Sequence, residues 1–165
     1  MKIAKGLLKS NITIRIKTQG SSMLPFIRAG DYIVIKHTRY NEVGIGDIIA
    51  YSYNGQDAII CHRLVKIKGP FLIAKGDTHI RGNERILSDS FLGKVISVER
   101  GKNKINTETR FQRFLSYKIA RVSLNFPVLL FITAYFVEAL RTPHLVPIKL
   151  YRIVRQYRTL FQWPM

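Results

Sequence analysis

Cysteine is almost absent from this chain of 165 residues, which contains only Cys61. A single cysteine cannot form an internal disulfide, so the fold does not depend on an oxidising compartment. Because Cys61 lies in an apolar run, we expect it to be a small buried hydrophobic residue of a strand.

Acidic residues are also scarce, with 10 Asp and Glu against 27 Lys and Arg, so the formal net charge is +17. A charge of this size indicates an anionic partner such as a membrane surface or nucleic acid. Residues 1–104 show neither a recognition helix nor an aromatic RNA-binding signature, so we expect no nucleic-acid partner. Residues 105–165 have the higher charge density, with nine basic and two acidic residues.

The N-terminus lacks the long apolar run of a signal peptide or membrane anchor. We therefore expect membrane association through residues 105–165, at an anionic membrane surface. Residues 122–140 contain no Lys or Arg and would span ~28 Å as a helix, close to the ~30 Å of a bilayer core. Asn125, Pro127 and Glu138 oppose a clean span, so a single span and an interfacial helix both stay open.

Two stretches of this tail have helical periodicity. Residues 110–121 place four basic side chains within one arc of a helix. Residues 148–161 place aliphatic and aromatic side chains on one side and three arginines on the other. The second pattern suits an anionic membrane surface, or a helix that docks on the rest of the protein with its arginines in water.

The rest of the chain has the periodicity of short strands separated by turns. Alternating residues at 11–17 and β-branched runs further on predict six strands. Asn54-Gly55 is a strong hairpin signal between the third strand and the fourth. The sequence thus predicts a compact, mainly antiparallel β domain over residues 1–104, followed by a helical tail over 105–165. The six predicted strands cover residues 11–17, 32–36, 47–53, 58–67, 71–75 and 92–99.

The connection after the first strand is suited to presenting a hydroxyl group. Gly20 permits backbone conformations closed to other residues, and Pro25 fixes a dihedral angle. Ser22 therefore lies on a constrained bend, where its oxygen is available to a peptide.

A serine nucleophile needs a base to take its proton. His37 lies at a strand end and His144 lies in the tail between prolines, so His62 and His79 are the plausible partners. A strand histidine such as His62 is also commonly structural. The spacing of Cys61, His62, Asp77 and His79 matches no standard zinc pattern, and we expect neither a metal nor a cofactor.

Three boxes resemble, in order and spacing, the type I signal peptidase family, in its Ser-His branch. They are Gly20-Ser21-Ser22-Met23-Leu24-Pro25 followed by Gly30-Asp31, then Cys61-His62-Arg63-Leu64-Val65, then Ala74-Lys75-Gly76-Asp77. The resemblance covers roughly residues 12–100 and implies the β fold of that family. LexA-like peptidases belong to the same clan.

The resemblance implies a role for each matching residue. Ser22 would be the nucleophile, His62 the general base and Asp77 the acidic partner, with Glu84 as an alternative acid or a simple dyad as another arrangement. The oxyanion would bind the Ser22 N–H and the Ser21 hydroxyl. Met23 and Leu24 would contact the substrate, although both also suit the core.

These observations favour a serine endopeptidase that cleaves signal or leader peptides through an acyl-enzyme, so its partner would be a polypeptide. A LexA-like self-cleaving regulator is an alternative. It is disfavoured because 21 residues before Ser22 are too few for a DNA-binding head and because a lysine base would stand where His62 does. A non-catalytic basic module that binds membranes is a third interpretation.

Overall fold

The structure is a computed structural model that describes residues 6–8, 10, 12–52 and 58–141. Eight strands and two helices make up most of this region. The strands are β1 (Ile14–Lys17), β2 (Tyr32–Lys36), β3 (Ile48–Ser52), β4 (Ile59–Lys68), β5 (Phe71–Lys75), β6 (Glu84–Ile86), β7 (Phe91–Arg100) and β8 (Asn103–Asn106). The helices are α1 (Arg110–Asn125) and α2 (Pro127–Arg141), and short 3-10 turns cover Tyr40–Glu42 and Ser88–Ser90.

All eight strands form one antiparallel sheet in the order β1-β2-β7-β3-β4-β5-β6, with β8 paired to β7. The predicted mainly β, antiparallel fold with C-terminal helices is therefore confirmed. The six predicted strands correspond to β1 to β5 and β7. The antiparallel pairing of β3 with β4 confirms the predicted hairpin, while Asn54-Gly55 itself lies outside the described residues.

The sequence does not predict β6 and β8. Both are short and mostly polar, so neither has the apolar alternation that predicts a strand. Pairing with β5 and with β7 holds them in place instead. Because β8 ends at Asn106, the sheet continues past the boundary predicted at residue 104.

The core lies on both faces of the central strand β3, because successive strand residues point to opposite faces. Ile48 and Ala50 pack in one apolar cluster with residues of β1, β2 and β7. Ile49 and Tyr51 pack in a second cluster with residues of β4, β5 and β6. β3 is thereby buried on both sides. It connects the half of the sheet that contains β1, β2 and β7 to the half that contains β4, β5 and β6.

The helices pack against the sheet from the far end of the chain. Thr109 caps α1 by accepting a hydrogen bond from the Gln112 N–H. Buried Ala120 of α1 packs with Val65 and Ile73, and the Lys75 Nζ donates a 2.7 Å hydrogen bond to the Ser123 carbonyl. These contacts dock α1 beside β4 and β5.

The apolar segment 122–140 is not one continuous helix. α1 ends at Asn125, and α2 begins at Pro127, a residue that lacks the N–H needed inside a helix but fits a first helical position. Within the described residues, no helix is both long enough and apolar enough to cross a bilayer. The predicted amphipathic helix at 148–161 lies outside the described residues.

Candidate active site

The loop after β1 holds Ser22 through its backbone. Gly20 adopts a φ of 89°, a conformation that favours glycine. The Ser22 carbonyl accepts a 3.0 Å hydrogen bond from the Thr78 N–H, and the Thr78 hydroxyl donates to the Ser21 carbonyl. The bend at Ser21 and Ser22 is therefore hydrogen-bonded to the turn that follows β5.

His62 of β4 connects Ser22 to a carboxylate. Its Nε2 lies 3.0 Å from the Ser22 Oγ, and its Nδ1 lies 2.8 Å from the Glu84 Oε2. The imidazole is buried, with 5% of its residue surface exposed. Ser22, His62 and Glu84 thus form a continuous hydrogen-bonded chain, in the arrangement of a serine, a base and an acid.

Of the two acids considered from the sequence, Glu84 and not Asp77 contacts His62. Asp77 instead accepts two hydrogen bonds from Arg63, at 2.8 Å and 2.6 Å, and both side chains are buried. His62 and Arg63 are consecutive in β4, so their side chains point to opposite faces of the sheet. Asp77 lies on the Arg63 side, and this corrects its expected place beside the histidine.

Two further side chains surround His62. The Tyr51 Oη lies 2.9 Å from the Nδ1, and the His79 ring packs edge-on at 5.2 Å between centroids. The sequence leaves His79 open as a possible partner of Ser22, but in the structure the hydroxyl of Ser22 faces His62. Tyr51 was missed, because a tyrosine in a buried strand has the same signature as any core aromatic.

A cavity of about 420 Å³ opens beside Ser22. Residues 16–20, at the end of β1 and after it, line one side, and residues 58–62, at the start of β4, line the other. Met23 also lines this cavity and is buried in the core, so both of its expected roles fit its position. Leu24 lines a separate cavity between the loop and the helices, which corrects its expected place on the substrate side.

The expected oxyanion groups, the Ser22 N–H and the Ser21 hydroxyl, both lie on the serine bend, and Ser21 is exposed. Their role stays a prediction. In the described part of the chain, no group of three or more His, Cys, Asp and Glu side chains is arranged to hold a metal ion.

Comparison with known proteins identifies the family. The model of the Peptidase S24-like family matches residues 1–96, which is more than half of the chain and includes Ser22, His62 and Glu84. The chain belongs to the S24-like peptidase family. No curated protein matches it significantly. The match confirms the LexA-like clan and a serine peptidase in general, and it does not single out the signal peptidase branch.

Burial sets the protonation of this S24-like peptidase site. It lowers the pKa of His62 to about 4, with repulsion from His79 as a smaller cause, so the imidazole is neutral at pH 7. Burial raises the pKa of Glu84 to about 7. It also raises the pKa of the Cys61 thiol to about 12, so this cavity residue stays protonated and is a poor nucleophile.

The protonation states decide which proton transfers are possible. When Glu84 is ionised, it accepts the Nδ1–H of His62 and leaves Nε2 as an acceptor for the Ser22 hydroxyl. When Glu84 is protonated, its hydroxyl can donate to Nδ1, which favours the tautomer with the imidazole proton on Nε2. An ionised Glu84 therefore favours the tautomer in which Nε2 faces the Ser22 hydroxyl as an acceptor.

Proposed function

We propose that this protein is a serine endopeptidase that cleaves signal or leader peptides through an acyl-enzyme, with Ser22 as nucleophile, His62 as base and Glu84 as the acid. The observation that carries the proposal is the hydrogen-bonded chain from Glu84 through His62 to Ser22 beside an open cavity. A dyad of serine and histidine alone would leave the contact of the half-buried Glu84 with His62 unexplained.

The proposed reaction has two halves. The Ser22 Oγ attacks the scissile carbonyl carbon while His62 Nε2 takes the hydroxyl proton, and Glu84 stabilises the imidazolium through Nδ1–H. The Ser22 N–H and the Ser21 hydroxyl stabilise the oxyanion. The C–N bond breaks as His62 gives its proton to the leaving amine. Water then attacks the acyl-serine with the same base, which releases the carboxylic acid and restores Ser22.

The walls of the cavity support an extended peptide as substrate. β1 is at one edge of the sheet, and among the described strands the first residues of β4 pair only with β3. Both walls therefore present unpaired backbone groups, to which an extended chain adds by main-chain hydrogen bonds. Ile16, Ile27 and Ile59 make the cavity apolar. This combination suits the small and apolar residues near the cleavage site of a leader peptide.

The second candidate is a LexA-like self-cleaving regulator, which the family match favours. Such a regulator would be expected to use a lysine base. Here His62 contacts the Ser22 Oγ, whereas Lys75, a buried lysine of the neighbouring strand, donates to the Ser123 carbonyl. The site geometry therefore favours the histidine mechanism, and the choice between cleavage in cis and in trans is left to experiment.

The test is cleavage of a reporter precursor that carries a leader peptide, together with labelling by a serine-acylating probe. Ser22→Ala and His62→Ala should each reduce cleavage by a factor on the order of 10³ or more while the protein stays folded. Ser88→Ala, an exposed serine of a 3-10 turn, is the matched control and should behave as wild type. Wild-type cleavage by Ser22→Ala would refute the proposal.

The same experiment separates the two candidates. Purified wild-type protein is incubated alone and with the Ser22→Ala variant as substrate, and the products are identified by mass spectrometry. Cleavage of the precursor with an intact chain supports the leader peptidase. Cleavage of the chain itself with no cleavage of any precursor would establish the regulator instead.

A further inference from the structure

The helical pair exposes many large apolar side chains. Phe111 is 70% exposed, Phe114 60%, Phe126 64% and Phe136 62%. Scattered single apolar residues are normal on a protein surface, but a group of aromatic residues on two consecutive helices and at the junction between them is not. This concentration of apolar surface marks α1 and α2 as a contact surface.

Two sides of α2 are apolar. Leu130 and Val137 line a cavity of about 320 Å³ against the serine loop, and Ala134 is buried. On the other side, Val128, Leu129, Ile132 and Phe136 are each more than half exposed, at a spacing that puts them on one face. A surface helix of a soluble domain normally has polar residues there. Residues 127–137 contain no charged residue at all.

The exposed face of α1 combines aromatic rings with cations. The Lys118 Nζ lies 5.3 Å from the centroid of the Phe114 ring, and the Arg121 guanidinium carbon lies 5.7 Å from the centroid of the Tyr117 ring. Arg110 and Arg113 add two more exposed cations, and residues 110–137 include no Asp or Glu. Aromatic rings and cations on one face are typical of helices that lie at the lipid interface.

We propose that α1 and α2 dock this protein on an anionic lipid surface, with the exposed face of α2 among the acyl chains and the cations of α1 at the phosphates. Charge complementarity selects this occupant. A second copy of the chain would bring the same cations and the same net charge of +17 against α1. An apolar protein partner would cover α2 but would leave the basic face of α1 unmatched.

Within the protein, α1 and α2 lie directly behind the loop that carries Ser22. Leu115 and Ile119 of α1 line the same cavity as Leu24 and Phe26, which follow Ser22 in the chain. Docking on lipid would therefore hold the loop that carries Ser22 close to the lipid surface. This position suits a substrate whose leader peptide is itself bound to the membrane, an inference that rests on the proposed function.

The first experiment tests the charge requirement by flotation of the full chain with vesicles of phosphatidylcholine alone or with about 30% phosphatidylglycerol. The test variant loses three exposed cations of α1 and is Arg110→Gln/Lys118→Gln/Arg121→Gln. The control loses three exposed lysines of the sheet and turns and is Lys66→Gln/Lys68→Gln/Lys102→Gln. The two variants have the same net charge, so a difference in binding between them reports which cations were removed rather than how much charge was lost.

Each cation at an anionic surface contributes roughly fivefold to binding, so the α1 variant should bind on the order of 100-fold more weakly and the control much less so. Salt at about 1 M should weaken wild-type binding. Equal losses in the two variants would overturn the proposal, because they would show a nonspecific effect of charge. Equal binding to neutral and anionic vesicles would also overturn it.

The second experiment tests the apolar face with Leu129→Ser/Ile132→Ser/Phe136→Ser against the control Ile67→Ser/Leu87→Ser, two residues that are also about half exposed. Only the α2 variant should lose binding to anionic vesicles, by at least about tenfold. Circular dichroism and acylation of Ser22 by a soluble probe should be unchanged, which separates a docking defect from misfolding and from failure of the proposed peptidase. Unchanged vesicle binding, or self-association of the wild type with no vesicle binding, would overturn the proposal.

Discussion

Replacing Glu84 with glutamine should abolish the acid limb of the pH–rate profile. In the wild type, burial raises the pKa of Glu84 to about 7 and lowers the pKa of His62 to about 4. As the pH falls through about 7, Glu84 becomes protonated and its hydroxyl donates a hydrogen bond to Nδ1. The imidazole proton then lies on Nε2, so His62 has no acceptor for the Ser22 proton. The rate of Ser22 acylation should therefore rise with pH through about 7, although the histidine itself is neutral throughout this range.

The size of the effect follows from the ionised fraction of Glu84. With a pKa of about 7, roughly one-eleventh of the side chain is ionised at pH 6 and roughly ten-elevenths at pH 8, so the wild-type rate should rise about tenfold between these values. Glu84→Gln does not titrate, and its ratio should be close to one. Its rate at pH 8 should be at least about 100-fold below wild type, because an amide N–H donated to Nδ1 holds the wrong tautomer.

The assay is the second-order rate constant for labelling by a serine-acylating probe, measured from pH 5 to pH 9. Glu42→Gln removes an exposed carboxylate outside the site and serves as the control, which should keep both the rate and the tenfold rise. If Glu84→Gln retained the tenfold rise, the limb would belong to His62. The assignment of Glu84 as the group that controls the base would then be wrong.

Two further predictions concern stability. Asp77→Ala leaves the fully buried Arg63 without its carboxylate and should lower the free energy of unfolding by about 3–5 kcal/mol in urea titration; a loss below about 1 kcal/mol would contradict the structural role of the pair. Gly46→Ala places a Cβ 2.7 Å from the Tyr117 nitrogen at a φ of 101°, and should cost about 2–4 kcal/mol by displacing α1. Gly69→Ala, at a φ of 55° with no atom within 4 Å of the added Cβ, has only the backbone strain and should cost about 1 kcal/mol; equal losses in the two variants would refute the contact with α1.

Local patterns in the sequence were sufficient to predict the elements whose conformation depends on a few neighbouring residues. Alternation of apolar residues predicted β1, and the β-branched run of β4 predicted a buried strand around His62. Gly20 and Pro25 marked the bend that presents Ser22. These features depend on steric limits of the backbone and on burial of one strand face, which act over a few residues.

The choice of acid could not be made in the same way. Asp77 lies in a box that resembles the signal peptidases, and Glu84 lies in a short polar segment with no strand signal. Only the pairing of β6 with β5, and of β5 with β4, brings Glu84 to the Nδ1 of His62. Because successive residues of a strand point to opposite faces, Arg63, and with it Asp77, lies on the face opposite His62.

The sequence by itself determined the β class of the domain and the basic character of the tail, because composition and periodicity are local properties, and the resemblance of its short motifs pointed to Ser22 and His62. The tertiary structure decided which carboxylate contacts the histidine, where the apolar tail segment breaks, and which helix faces stay uncovered. These depend on pairing and packing between residues far apart in the chain, where the partner and not the residue type sets the contact.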